Sequence, residues 1–206
     1  NSFCTLLGDD NMALAALEAD VTKALDSGKY GGNLVLFAAL LREYQFQPAA
    51  LKAPLVARML LACLPQLGAS ECGACLCQIP ERLHDAAEIK AVVDLDDALE
   101  RGDFARFWAQ WPATQAAVQP PLPRFEEAMR ASMAQSLSLT FASVDAAAAA
   151  AMLGVANAAE AAKVLGNLGK LEGSLFVFAP NDFNRPKPPP EPRDLTSANI
   201  AQVVRE

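Results

Sequence analysis

The chain has 206 residues, 20% of them charged and 52% hydrophobic, enough apolar surface to fold as one domain or two small ones rather than remain disordered. Its formal charge of −7 repels a phosphate backbone, which excludes a general DNA- or RNA-coating role. Forty-one alanines shift the prior toward helix, because Ala has the highest helix propensity of any residue.

Apolar residues at helical spacing begin with Leu14, Leu17, Val21 and Leu25, with Asp10 as the expected cap and Gly28 as the stop. A second helix opens at Asn33, carries Leu34, Phe37, Leu41 and Tyr44 on one face and ends before Gln47-Pro48. A third is expected from near Pro54 to Leu64, with Pro in its first turn. Ser70 is expected to cap a short helix with Cys72, Leu76 and Ile79 inward, ended or kinked by Pro80. Asp85 and Glu88 have capping-box spacing ahead of Ile89, Val92, Leu95 and Leu99. Asp103 opens a short helix with Phe104, Phe107, Trp108 and Trp111; after Pro120-Pro121-Leu122-Pro123 another carries Phe125, Met129, Met133 and Leu137. Seven one-faced helices joined by short turns bury their faces by stacking, the logic of a helical-repeat array over residues 1–139.

From residue 140 the pattern changes to two short helices and the β-rich run Ser174–Ala179, preceded by the turn formers Gly169 and Gly173. That order suggests a small α+β winged-helix unit over residues 140–206. Within it, residues 180–193 form a proline-rich wing or connector, and residues 196–205 a final helix, capped by Thr196 or Ser197, with Ile200, Val203 and Val204 on one side. The second helix of such a unit, Asn157 to Leu168, would enter a DNA groove, yet it offers only Asn157, Lys163 and Asn167 among alanines, so protein contact is expected there instead.

Chemistry-bearing motifs are few. Cys72, Cys75 and Cys77 with His84 are four residues of the type that tetrahedral zinc selects. Cys72 and Cys75 share a helix face with the apolar stripe while Cys77 points away, so buried free thiols are the plainer reading. His84 is the only histidine, and GxSxG, GxxxxGK[ST], GxGxxG and HExxH motifs are missing, so no enzyme activity, cofactor or metal is expected. Asp94, Asp96, Asp97, Glu100 and Asp103 alternate with Val93, Leu95 and Leu99 as a solvated helix face would, with a partner-facing patch as the second reading. Two overlapping PxxP segments lie between Pro186 and Pro192. The longest strongly apolar run, Leu34–Leu41, falls far short of the roughly 20 residues of a membrane span. The start lacks a signal-peptide pattern, and the odd number of cysteines fits a reducing compartment, so a cytoplasmic location is expected.

The run from Asn33 to Pro48, with its Leu41-Arg-Glu-Tyr44-Gln-Phe-Gln-Pro48 end, resembles the K subunit family of eukaryotic translation initiation factor three. Cys75-Leu-Cys-Gln-Ile79, Ala98-Leu-Glu100, Phe104-Ala-Arg-Phe-Trp108, Phe125-Glu126 and Met152-Leu-Gly154 are similar in order and spacing. The resemblance implies a HEAT-like repeat plus winged helix (a PCI arrangement shared with proteasome-lid and signalosome subunits) and a non-catalytic scaffold role. It also implies partners: other initiation-factor subunits, the L subunit above all, and the small ribosomal subunit. By the same resemblance, Leu175, Phe176, Val177 and Phe178 become an exposed strand edge, and Ile200, Val203 and Val204 a stripe in a helix bundle, both partner-binding. The alternatives are a lid or signalosome subunit, or a zinc protein built on Cys72, Cys75, Cys77 and His84.

Overall fold

The computed structural model describes residues 2–186, with side chains from Ala13 to Pro186. The proline-rich segment from residue 187 onward, both PxxP segments beyond Pro186, and the expected final helix with Ile200, Val203 and Val204 lie outside the described residues.

The first part is helical: α1 (Ser2–Asp26), α2 (Leu34–Phe46), α3 (Ala53–Cys63), α4 (Glu71–Leu76), a 3₁₀ turn at Glu81–Leu83, α5 (Ala87–Glu100), α6 (Phe104–Ala117) and α7 (Phe125–Thr140). α3 organises the array. Every residue from Val56 to Cys63 is buried, as expected of a helix enclosed on all sides, and it packs against α1, α4 and α5. The outer helices bury one stripe each, Phe37, Leu40, Leu41 and Tyr44 on α2 and Ile89, Val92, Leu95, Ala98 and Leu99 on α5. α6 outruns the predicted short helix and continues through Pro112, because Phe104, Phe107, Trp111 and Thr114 all face the core.

Caps separate the predicted helix starts that hold from those that differ. Asp103 accepts from Arg106 N–H at 3.0 Å as expected. α1 begins at Ser2 rather than at Asp10, since no proline interrupts Ser2–Asp26 and an established helix propagates readily. Ser70 sits in the left-handed region at φ 51°, and Asn33 is near-helical; neither side chain makes a cap bond. The residue before α5 is Ala86, one position past the expected cap: Lys90 N–H bonds Ala86 O and Asp85 stays outside the helix.

The second part runs β1 (Ser143–Asp145), α8 (Ala146–Leu153), α9 (Ala158–Leu165), a 3₁₀ turn at Gly166–Leu168, β2 (Gly169–Glu172) and β3 (Leu175–Phe178). The three strands form an antiparallel sheet in the order β1-β3-β2, with Val144 and Leu171 both opposite Phe176. The predicted strand edge at Leu175–Phe178 is therefore corrected: β3 is the central strand. The hairpin through Gly173 places β2 on one side, and β1, reached only across α8 and α9, closes the other.

Both parts share one hydrophobic core that extends from Leu14 to Phe178. Trp108 of α6 sits at the join. Its indole N–H donates to Met152 O at 3.1 Å, and its ring carries the Arg130 guanidinium 4.6 Å above it. Arg130 Nε donates to Leu153 O at 3.2 Å and its Nη2 to Glu126 at 3.0 Å, while the other Glu126 oxygen accepts from Trp111. The last carbonyls of α8, which have no partner within the helix, are thus held by side chains of α6 and α7. Gly154 follows at φ +61°, where a Cβ would run into the Trp108 ring.

Candidate interaction surfaces

Alternation along β3 sends Phe176 and Phe178 into the core, at 2% and 1% exposure, and leaves Leu175 45% exposed with Val177 half-buried. Of the four predicted contact residues on this strand, two are core. On the outer face Leu175 lies opposite Asp145 and Glu172, and Val177 opposite Ser143 and Lys170, so a narrow apolar line runs between polar flanks. The sheet edges among the described residues belong to β1 and β2, and sequence reading passed over β2 because Gly-Lys-Leu-Glu lacks β-branched and aromatic residues. Gly169 is required there: a Cβ would strike the Val177 carbonyl and the Phe176 ring.

Beside the sheet, residues 181–184 form a loop closed on itself. Asn184 Nδ2 donates to Ala179 O and Ser138 O, and Asn181 Nδ2 donates to Ser138 O at 2.9 Å. This fastens the loop to the end of α7 and leaves Phe183 75% exposed.

The thiols do not assemble as a zinc site. Cys72 and Cys75 are buried, Cys77 is exposed, and His84 is exposed beyond the turn that Pro80 begins. Among the described residues no three His, Cys, Asp or Glu side chains are gathered as metal ligands. What sequence reading missed is that Cys63 of α3, whose thiol donates to Met59 O at 3.3 Å, comes beside Cys75. Contact with Cys75 and burial push the Cys63 thiol up, and burial with the neighbouring Asp96 carboxylate pushes Cys72 up, so both stay protonated at neutral pH. Of the acidic run, Asp97 pairs with Arg101 at 2.9 Å, Asp103 caps α6 and Asp94 is exposed, while Asp96 and Glu100 stand on the wall of a cleft.

Motifs far apart in the chain meet in space. Tyr44 donates to Glu18 at 2.7 Å, fastening α2 to α1, and its neighbour Gln45 donates to Gln78 O at 2.9 Å, in the Cys75–Ile79 segment. Likewise the Phe104–Trp108 segment meets Met152-Leu-Gly154 through the Trp108 bond. The residues that carry the sequence resemblance are thus largely those that set helix-to-helix geometry.

Eukaryotic translation initiation factor 3 subunit K of Xenopus tropicalis is 26% identical to this chain over 189 residues, covering 90% of the chain and 85% of that protein. The human subunit K is 25% identical over the same length and coverage. The Caenorhabditis briggsae subunit K is 26% identical over 185 residues, covering 81% of this chain and 76% of its own. A model of the CSN8/PSMD8/EIF3K family matches residues 50–187. That span takes in α3 through β3, including the Trp108–Arg130 join and the whole three-stranded sheet, and the chain belongs to the CSN8/PSMD8/EIF3K family.

Proposed function

We propose that this protein is the K-type subunit of eukaryotic translation initiation factor 3: a non-catalytic scaffold in the cytoplasm that contacts neighbouring subunits, the L-type subunit first among them, and the small ribosomal subunit. The observation that carries the reading is similarity to subunit K proteins along 90% of the chain, joined to a fold whose matched motifs are structural. In this reading residues 1–139 are the HEAT-like repeat, and residues 140–206 are the winged helix of a PCI arrangement. Contact with neighbours uses the open β2 edge and the outward Leu175 and Val177, since an unpaired strand edge is a template for a partner's strand. Ile200, Val203 and Val204 would supply the helical contact.

The test is a tagged pull-down from native cytosol at moderate salt with mass spectrometry of the retained proteins. Stoichiometric initiation-factor subunits are the expected result, and recovery of the free chain alone would sink the reading. The family description also spans CSN8 and PSMD8, which favours a signalosome or proteasome-lid subunit as the second reading. Recovery of those subunits instead would move the function to protein turnover while leaving the architecture in place.

A further inference from the structure

A cleft of about 1060 Å³ lies between the end of α3 and its following turn, α4, the C-terminal end of α5 and one face of α7. Three features set it apart from a packing defect. First, it is roomy on its own walls: a Cβ at Gly68, Gly73 or Gly102 would meet nothing within 4 Å. Second, its lining mixes apolar side chains, Leu99, Phe104 and Leu139 among them, with the carboxylates of Glu71, Asp96 and Glu100. Third, among the described residues those carboxylates face no free cation. Arg101 is the one basic residue in the lining, and it is engaged by Asp97.

The negative charge in the cleft is crowded. Burial raises the Asp96 carboxyl above its usual range; the neighbouring Cys72 thiol lowers it, but Glu100 and Asp97 push it further up. A thiol supplies a proton and no charge, so the excess persists. A cationic side chain entering from outside would meet the half-buried Asp96, where a Coulomb interaction is stronger than at an open surface, flanked by the half-buried Glu71 and the exposed Glu100.

We propose that this cleft is the docking site for a basic, leucine-containing segment of a partner protein, its Arg or Lys side chains paired with Glu71, Asp96 and Glu100 and its apolar side chains covering Leu99, Phe104 and Leu139. The proposal holds whichever assembly the chain serves, so its failure and that of the subunit reading are separable.

The experiment uses the full chain and a fluorescent peptide of alternating leucine and arginine, read by anisotropy at low and at physiological salt. Gly73→Trp fills the cleft without altering charge; Glu71→Gln with Glu100→Gln removes charge without altering shape, and decides the matter if the tryptophan variant fails to fold. The expected result is saturable binding by the wild type, weakened at least about tenfold by each variant, and none to a leucine–glutamate peptide. Equal affinity of wild type and variants would overturn the proposal, because attraction to the overall charge of −7 would then account for the binding. Absence of binding would overturn it as well. So would hydrogen-exchange evidence that the peptide displaces this chain's own residues 187–206 from the cleft.

Discussion

Burial alone would raise the Glu18 carboxyl, but hydrogen bonds from Lys52 and Tyr44 and the Lys52 charge outweigh it and hold the group below its ordinary 4.5. A carboxyl depressed by folding stabilises the native state above its unfolded pKa and loses that contribution as pH falls through the folded value. Glu18→Gln is therefore expected to lower the unfolding midpoint at pH 7 while flattening its decline below about pH 4.5, as followed by urea titration across pH. Gly154 is a second single-residue fulcrum, since its left-handed backbone and the Trp108 ring both exclude a side chain. Gly154→Ala should cost about 2–4 kcal/mol, from backbone strain and displaced packing together, with a shift in tryptophan emission to mark the ring's movement. The sequence marked Met152-Leu-Gly154 by resemblance; nothing in it announced the contact with Trp108, because that glycine's requirement comes from a side chain 46 positions upstream.

At the scale of elements, β3 tests the corrected assignment. Phe178 is 1% exposed and Leu175 45%, so Phe178→Ala should cost about 3–5 kcal/mol in urea denaturation while Leu175→Ala stays within about 0.5 kcal/mol. If Leu175 belongs to a contact surface, its substitution weakens partner retention at unchanged stability. The helices were legible because each carries a periodic stripe between clear breakers, as in α2 between Asn33 and Pro48. The strands were less so. β1 spans only Ser143–Asp145, too short for a two-residue period to register, and β2 lacks strand-forming side chains. The central position of β3 depends on β1 returning from before α8, a long-range pairing that local pattern cannot encode. The thiol neighbourhood divides the same way: Cys72 and Cys75 were placed inward by their spacing, whereas Cys63 joins them from a different helix.

For the whole molecule, the decisive feature is that the helical array and the sheet-bearing part share a core and are tied at Trp108, Arg130 and Glu126. Arg130 holds the α8 carboxyl-end carbonyl of Leu153 and covers the Trp108 face. Arg130→Met keeps most of the stem's packing but removes both ties. Hydrogen exchange is expected to rise across residues 146–178 with little change over 53–100, because sub-global opening follows the units whose contacts are lost. A uniform rise over the chain would instead mean that the two parts open only together.

The three buried thiols give the protein an internal clock. Cys63, Cys72 and Cys75 lie at 2%, 4% and 0% exposure where α3, α4 and α5 come together, and an enclosed sulfur does not meet an alkylating reagent until that packing parts. In a chain with Cys4→Ser and Cys77→Ser, every maleimide captured at these positions records one excursion of the helical array. The labelling rate, unlike a melting curve, then counts how often the helical array opens under native conditions.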